Sequence, residues 1–433
     1  MSVDKNLFLY DLAIVAVMKC EGSYIKEWLD YHLLAGVDHF FIYDNDSPDN
    51  QKEILQPYID AGLVTYTFFP GSSPQFPAYN DAIQRFKYLC RYIAFIDGDE
   101  FILPKSNRSI IEVVDEILSD KPNIGGLGIT WHCFGSSGQV KADYNRGVLE
   151  RFTYRAPTEF NPTIKDIVNP RKINFFDCPH RMNYYGGFYT IDENASILLT
   201  IKNKSCADKK IVINHYVTKS FEEYMEKNQR GDVVYTVTTK TEENFKSIDA
   251  ASTIFDDSIL KYRAERQVTQ IPTGGGMDAI LATLAPRKQV KYGKIYSALI
   301  NNLAPILPKN VPLHFFEGKM ETLLTCLALN NYLRKNVLDE KTANLFEEVA
   351  LNLIYKTLMT HLQFADIKLL FSELPNILKM NYTVVKEIRN ACVQIIPQLL
   401  RNLRANVRTF MPLLWREYFY LEEKLYLLKA FDN

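Results

Sequence analysis

The stretch YIAFIDGDEFILP at residues 92–104 constrains this chain more than any other. Tyr92-Ile93-Ala94-Phe95-Ile96 is apolar and too short for a helix, so it reads as a buried strand. Three acids then fall within four positions, Asp97, Asp99 and Glu100, before a second apolar run that stops at Pro104. Carboxylates pressed between buried runs are costly unless something pairs with them. A hard divalent cation, Mn²⁺ or Mg²⁺, is a natural partner. In extended backbone, residues i and i+2 point the same way, so Asp97 and Asp99 are expected as metal ligands able to grip a diphosphate. Glu100 is either a support for that pair or a structural acid. The competing reading is a plain acidic turn, since Asp and Gly are common turn residues. Position favours a site, because open α/β sheets bind ligands at the carboxyl ends of their strands.

The α/β pattern comes from the chain on either side. Residues 12–18 and 39–43 read as buried strands. Between them Tyr24, Trp28, Tyr31 and Leu34 have helical spacing, with Ser23 as N-cap and Gly36 as terminator. A helix through about Tyr58, a strand at 63–69, a loop at 70–77 and a helix at 78–89 follow. Strands alternating with helices predict a parallel, doubly wound sheet. Further on, a helix is expected at 109–118, a strand at 125–131, a Gly-Ser loop at 134–138, and short strands at 197–201 and 210–214. Ser220 with Glu223 forms a capping box for a helix carrying Lys227, with Lys219 just before it. The composition shifts near residue 245, and Leu-rich helical patterns run to the end. The expected domains are 1–245 (α/β), 246–276 (linker, with Gly274-Gly275-Gly276 as a hinge) and 277–433 (helical).

Composition excludes several classes. With 433 residues, 47% of them hydrophobic and 23% charged, the chain can build a full core. A formal net charge of −1 argues against nucleic acid as the main partner. Seven scattered cysteines with no C-x-x-C pair speak against a zinc ribbon or a disulfide framework, and fit a reducing compartment. The N-terminal segment lacks the basic region and cleavage site of a signal peptide, and no run has the length of a membrane span. The cytoplasm is therefore the expected location. Contact with the inner face of a membrane and self-association through the helical region are left open.

Four segments in order, KCEGSYIKEWLDYHLLAGVDHFFIYDNDSPD, FIDGDEF, WHCFGSSG and HYVTKSFEEYMEKNQRG, resemble glycosyltransferase family 92, with relatives among bacterial GT-A enzymes of the family 2 type. The resemblance covers about residues 10–235. It implies a GT-A (Rossmann-like) domain and an inverting, metal-dependent transferase using a nucleotide sugar, often UDP-galactose. It puts Lys19 and Glu21 at the donor side, although Cys20 departs from the family's usual Asn. Asp44 and Asn45 end the second strand, where a nucleoside would lie, or else form an Asx turn. The family similarly places a Gln and a Tyr-Asn where Gln75, Tyr79 and Asn80 stand, although helix capping also accounts for them. Asp97 and Gly98 complete the donor contacts, with Lys165 and His180 the basic residue and histidine that the family places here. Arg171 is a further basic candidate.

Trp131, Phe134, Gly135 and Ser136 are expected at the acceptor, since aromatic faces suit sugars and small residues let one approach. Core packing is the other reading of Trp131. Glu159, Asp166 and Asp177 are candidates for the general base that an inverting transfer needs. His215 ends a short strand and is expected to join Asp97 and Asp99 around Mn²⁺, for which an imidazole is acceptable. The function expected is transfer of a hexose, galactose first, from a UDP-linked donor to a glycan. The alternatives are a nucleotidyltransferase or phosphosugar-processing enzyme, and a non-catalytic carbohydrate-binding protein on a transferase fold.

Overall fold

The structure is a computed structural model that describes residues 5–119, 121, 123–185, 188–229, 241–270, 298, 320–335, 338–360, 364–380, 382–406, 421, 423–426 and 428. The chain divides into an α/β unit, Phe8–Tyr184 with Phe188–Val290, and a second unit that holds Lys291–Asn433.

The first half of the α/β unit is β1 (Tyr10–Met18), α1 (Gly22–Leu34), β2 (His39–Asp44), α2 (Gln51–Asp60), β3 (Val64–Phe68), α3 (Gln75–Phe86) and β4 (Cys90–Phe95). β1 pairs in parallel with β2 and β4, and β2 with β3. Strand alternation sends Leu12, Ile14, Ala16 and Met18 into a core shared with Trp28 and Leu55, while Ala13, Val15 and Val17 pack with Tyr79, Ile83 and Phe86 of α3. Both faces of β1 are thus apolar, which is why the run carries no polar alternation. Gly36, at φ 99°, ends α1 as expected. The N-cap is Glu21 rather than Ser23, which lies inside the first turn. α3 starts at Gln75 instead of Ala78, because Pro77 falls in the first turn, where proline removes no helical hydrogen bond.

The second half is β5 (Glu100–Pro104), α4 (Ile110–Leu118), β6 (Ile124–Cys133), α5 (Val148–Arg151), β7 (Tyr154–Arg155), β8 (Ile164–Val168), β9 (Ile173–Phe175), β10 (Asn183–Tyr184), β11 (Tyr189–Ile191), β12 (Ile197–Leu198), β13 (Ile211–His215) and α6 (Phe221–Gln229). The sheet runs β12-β11-β6-β8-β4-β1-β2-β3, with β5 and β13 joined beside β6. It is mixed and not wholly parallel. β8 is antiparallel to both β4 and β6, and β5 is antiparallel to β13. Apart from α4 and the one-turn α5, the connections in this half are not α-helical, so helical crossovers do not enforce parallel pairing throughout. The capping boxes at Ser109–Glu112 and Ser220–Glu223 both form.

Residues 246–270, expected as linker, are structured. α7 (Glu242–Ala251), β14 (Ile254–Phe255) and α8 (Ser258–Gln270) belong to the α/β unit. β14 pairs with β7, and Arg263 of α8 lies 3.5 Å from Glu27 and 2.8 Å from Glu150. Gly274-Gly275-Gly276 lies outside the described residues. The described part of the second unit is helical: α9 (Met320–Arg334), α10 (Glu340–Thr360), α11 (Phe364–Ile377) and α12 (Thr383–Asn406). The α/β domain followed by a helical C-terminal region is the expected fold class. Among the described residues no helix is long and apolar enough to cross a membrane.

Candidate active site

β4 stops at Phe95 and β5 begins at Glu100, so Asp97 and Asp99 sit on a turn at the sheet edge. Glu100 is fully buried and holds this turn from inside, its Oε2 accepting the Asp97 N–H at 2.9 Å. The backbone is not extended here, so the same-side argument for i and i+2 does not apply. The two aspartates face different partners.

Asp97 meets a buried polar set. Lys165 of β8, with no exposed surface, donates from Nζ to Asp97 Oδ2 at 2.9 Å. Gln75 donates from Nε2 to Asp97 Oδ1 at 2.7 Å and stands 3.0 Å from the Tyr79 hydroxyl. Burial pushes the Asp97 carboxyl upward, but the charge and hydrogen bond of Lys165, with His180, together leave the group below its ordinary value. His180 is pushed down to about 3, first by burial and then by the Lys165 charge, so its imidazole is neutral. Its ring meets Trp131 edge-on at 5.0 Å.

Asp99 meets a second set. β13 pairs with β5 so that His215 stands opposite Glu100, which brings His215 Nε2 to 3.6 Å from Asp99 Oδ1. Lys227 of α6 forms a tight ion pair with Asp99 Oδ2. Burial works against ionisation, yet Lys227 and His215 hold the Asp99 carboxyl well below the usual range. Trp131 packs on His215 at 4.2 Å. Asp99 and His215 therefore meet, whereas Asp97 is turned to Lys165. Among the described residues no three His, Cys, Asp or Glu side chains are gathered closely enough to hold a metal ion.

The remaining expected residues divide. Glu21 is buried beside this edge. Its side chain is the nearest neighbour of Gly98, where an added Cβ would stand 3.4 Å from Glu21 Cγ, and its Oε2 lies 3.9 Å from Lys219 Nζ. Lys19 is half-buried at the end of β1, and Cys20 after it has φ 54°, a left-handed conformation rare outside glycine. Asp44 accepts from Tyr66 OH at 2.7 Å and from the Ser47 N–H at 3.1 Å, three residues on, one beyond the two-residue reach of an Asx turn. Asn45 donates to the Phe69 and Gly71 carbonyls. Asn80 pins Phe176, accepting its N–H at 3.0 Å and donating to its carbonyl. Arg171 is buried and donates to the Cys90 carbonyl at 2.6 Å. These last four side chains brace loops.

The expected acceptor loop is sealed. Phe134 has no exposed surface and stacks on Tyr216 at 4.7 Å. A Cβ on Gly135 would stand 2.7 Å from Ser252 Cβ, and the Ser136 N–H donates to Asp249 Oδ1 at 2.7 Å. The smallness of this loop admits α7, not a sugar. Trp131 is 7% exposed, wedged between two histidines.

Of the base candidates, Asp166 is buried on the opposite face of β8 from Lys165, accepting from Thr190 Oγ1 at 3.0 Å. It is pushed up to about 7 by burial. Glu159 is exposed on the 158–160 turn, and Asp177 is exposed and accepts from Asn183. Sequence reasoning missed the site role of Lys227. One turn separates it from the capping Glu223, and that shared helix face was the available signal.

Fold and site together give an α/β unit of mixed sheet with a charged turn of carboxylates at its edge, matched by lysines and a histidine. The chain belongs to glycosyltransferase family 92, whose model matches residues 20–248, more than half of its length. A family 92 protein of Ricinus communis is 28% identical over 245 residues, 56% of this chain and 42% of that protein. Galactan β-1,4-galactosyltransferase GALS2 of Arabidopsis thaliana is 30% identical over 148 residues, 30% of this chain and 27% of that protein. This chain therefore spans about two fifths or less of the length of these plant relatives. The solved S. aureus TarS fragment 1–349 with UDP aligns over 88% of this chain and 90% of its own, at 10% identity and a TM-score of 0.28, too low to argue from.

Proposed function

We propose that this chain transfers a hexose, galactose first, from a UDP-linked donor to a glycan, with Mn²⁺ and with inversion at the anomeric carbon. The observation that carries the reading is the approach of His215 to Asp99 at 3.6 Å on the sheet edge that ends β4. Galactose, with β-1,4-galactan as the acceptor to test first, enters through the names of the Arabidopsis relatives.

The residue types suit Mn²⁺, two carboxylates and an imidazole, but as they stand they are not gathered. For Asp97, Asp99 and His215 to hold the ion, Asp97 would have to turn from Lys165 and Gln75 toward Asp99. His215 Nδ1 is buried without a hydrogen-bond partner among the described residues. When bound, the ion would neutralise charge on the leaving diphosphate without proton transfer. Lys165 keeps Asp97 ionised and anchored. Lys227 and a metal ion compete for the Asp99 carboxylate. Lys219 stands beside Glu21 and Lys227 beside Asp99, so each ammonium group of this edge faces a carboxylate.

The test is a panel of UDP-, GDP- and CDP-sugars with Mn²⁺, Mg²⁺ or chelator, following donor hydrolysis and transfer to β-1,4-galactan. The reading requires Mn²⁺-dependent turnover of UDP-galactose that Asp99→Asn abolishes. Turnover indifferent to chelator would overturn the metal, and turnover of another donor only would overturn the UDP-galactose assignment.

A further inference from the structure

We propose that the cleft between the first turn of α1 and α6 is the subsite for the acceptor sugar, an inference that rests on the glycosyl-transfer reading above. The cleft has a volume of about 230 Å³, with Tyr24, Tyr144, Lys219, Glu226 and Lys227 among its lining residues. That is small for a nucleotide-sized ligand, since pockets for drug-sized molecules begin near ~300 Å³. It opens beside the charged turn, because Lys227 belongs both to its wall and to the Asp99 ion pair. A sugar seated here lies next to the donor edge.

The walls suit a polyhydroxylated ring. Tyr24 and Tyr144 stand with centroids 6.0 Å apart, and Tyr144 is 52% exposed, so an aromatic face remains open at the mouth. Aromatic walls with a few convergent polar groups are the usual lining of a small-molecule site. Glu226 accepts from the Tyr144 hydroxyl at 3.1 Å, and a sugar hydroxyl can use its other oxygen. Lys219 Nζ lies 3.8 Å from the Tyr24 ring centroid, on the cleft side of α1.

Charge balance decides between a neutral ligand and a second anion. Lys227 is answered by Asp99, Lys219 by Glu21, and the buried Glu223 by Arg151 at 3.0 Å. Glu226 adds a negative charge. The cleft therefore offers hydrogen bonds without a surplus of positive charge, which favours a neutral sugar over another phosphate.

Cys20 lies on the cleft wall and reports on its occupancy. The full chain is treated with iodoacetamide, and the alkylation rate at Cys20 is read by peptide mass spectrometry. The additions are Mn²⁺ with UDP, then Mn²⁺ with UDP and β-1,4-galactotetraose, while UDP-galactose turnover is followed in parallel. The expected result is that UDP with Mn²⁺ leaves the rate unchanged and the tetrasaccharide slows it. Tyr144→Ala should lose this protection and raise the acceptor KM by about tenfold, the loss of one good contact, with a smaller change in kcat. Protection by UDP and Mn²⁺ alone would assign the cleft to the nucleotide and overturn the proposal. No protection by the tetrasaccharide would overturn it as well. Protection by the tetrasaccharide with no turnover of UDP-galactose would instead leave the sugar site standing and overturn the transferase reading.

Discussion

Lys165 Nζ stands 2.9 Å from Asp97 Oδ2, across 68 positions of sequence, and 3.7 Å from Glu100 Oε2. One buried ammonium thus serves both ends of the acidic turn. Burial alone would disfavour its charge, but Asp97 and Glu100 outweigh burial and raise the Lys165 ammonium above its ordinary value. Burial holds Glu100 itself well above the usual carboxylate range, so the formal charge of Lys165 is matched by Asp97.

Lys165→Met should therefore destabilise the α/β unit by about 2–4 kcal/mol, the cost of stranding a partly buried carboxylate. The double variant Lys165→Met, Asp97→Asn should recover much of that loss. Urea unfolding of the three proteins measures both effects. Equal stability of Lys165→Met and parent would mean that the ion pair does not hold the turn.

Asp166 gives a pH prediction. Burial pushes its folded carboxyl up to about 7 from an ordinary 3.8, so between those values the folded state holds a proton that the unfolded state has released. Stability contributed by this group falls as pH rises through that window, by at most a few kcal/mol. Asp166→Asn mimics the protonated form. It should raise the melting temperature at pH 8 more than at pH 5. It should also keep turnover, because the side chain faces away from Lys165 and Asp97. Lost turnover with an intact fold would restore Asp166 as a candidate base.

Gly135 tests whether its loop is structural. Gly135→Val would drive a side chain into Ser252 and Asp249 of the α7 end, at a cost of about 1–3 kcal/mol from overpacking. A drop in melting temperature with unchanged acceptor KM is expected. A higher KM without loss of stability would return the loop to the acceptor site.

Much of this was legible in the chain because it was local. The apolar run into Asp97 marked the strand and its edge. Ser109–Glu112 and Ser220–Glu223 declared two helix starts by spacing alone. His215 was placed at a strand end, and the β5–β13 register then carried it to Asp99. What could not be read was tertiary. Nothing near Gly135 or Ser136 shows that the end of α7, more than a hundred residues on, covers them. Lys227 reaches Asp99 across 128 positions. Asp166 was hard to place for a different reason. β8 had not been recognised as a strand, and without its two-residue alternation Asp166 could not be separated from Lys165. The turn at 96–99 broke the same rule in reverse, since alternation was assumed where the backbone is not extended.

The central claim is that Asp97, Asp99 and His215 hold one Mn²⁺ against the donor diphosphate. The most direct measurement is calorimetric titration of UDP into the parent and into His215→Ala, each with Mn²⁺, with Mg²⁺ and with chelator. The account predicts that Mn²⁺ tightens UDP binding to the parent and that His215→Ala loses about tenfold or more of that gain. It also predicts that the variant, having lost the nitrogen ligand, no longer prefers Mn²⁺ to Mg²⁺. A His215→Ala protein that binds UDP and Mn²⁺ as tightly as the parent would contradict the account and leave the site to its carboxylates and lysines.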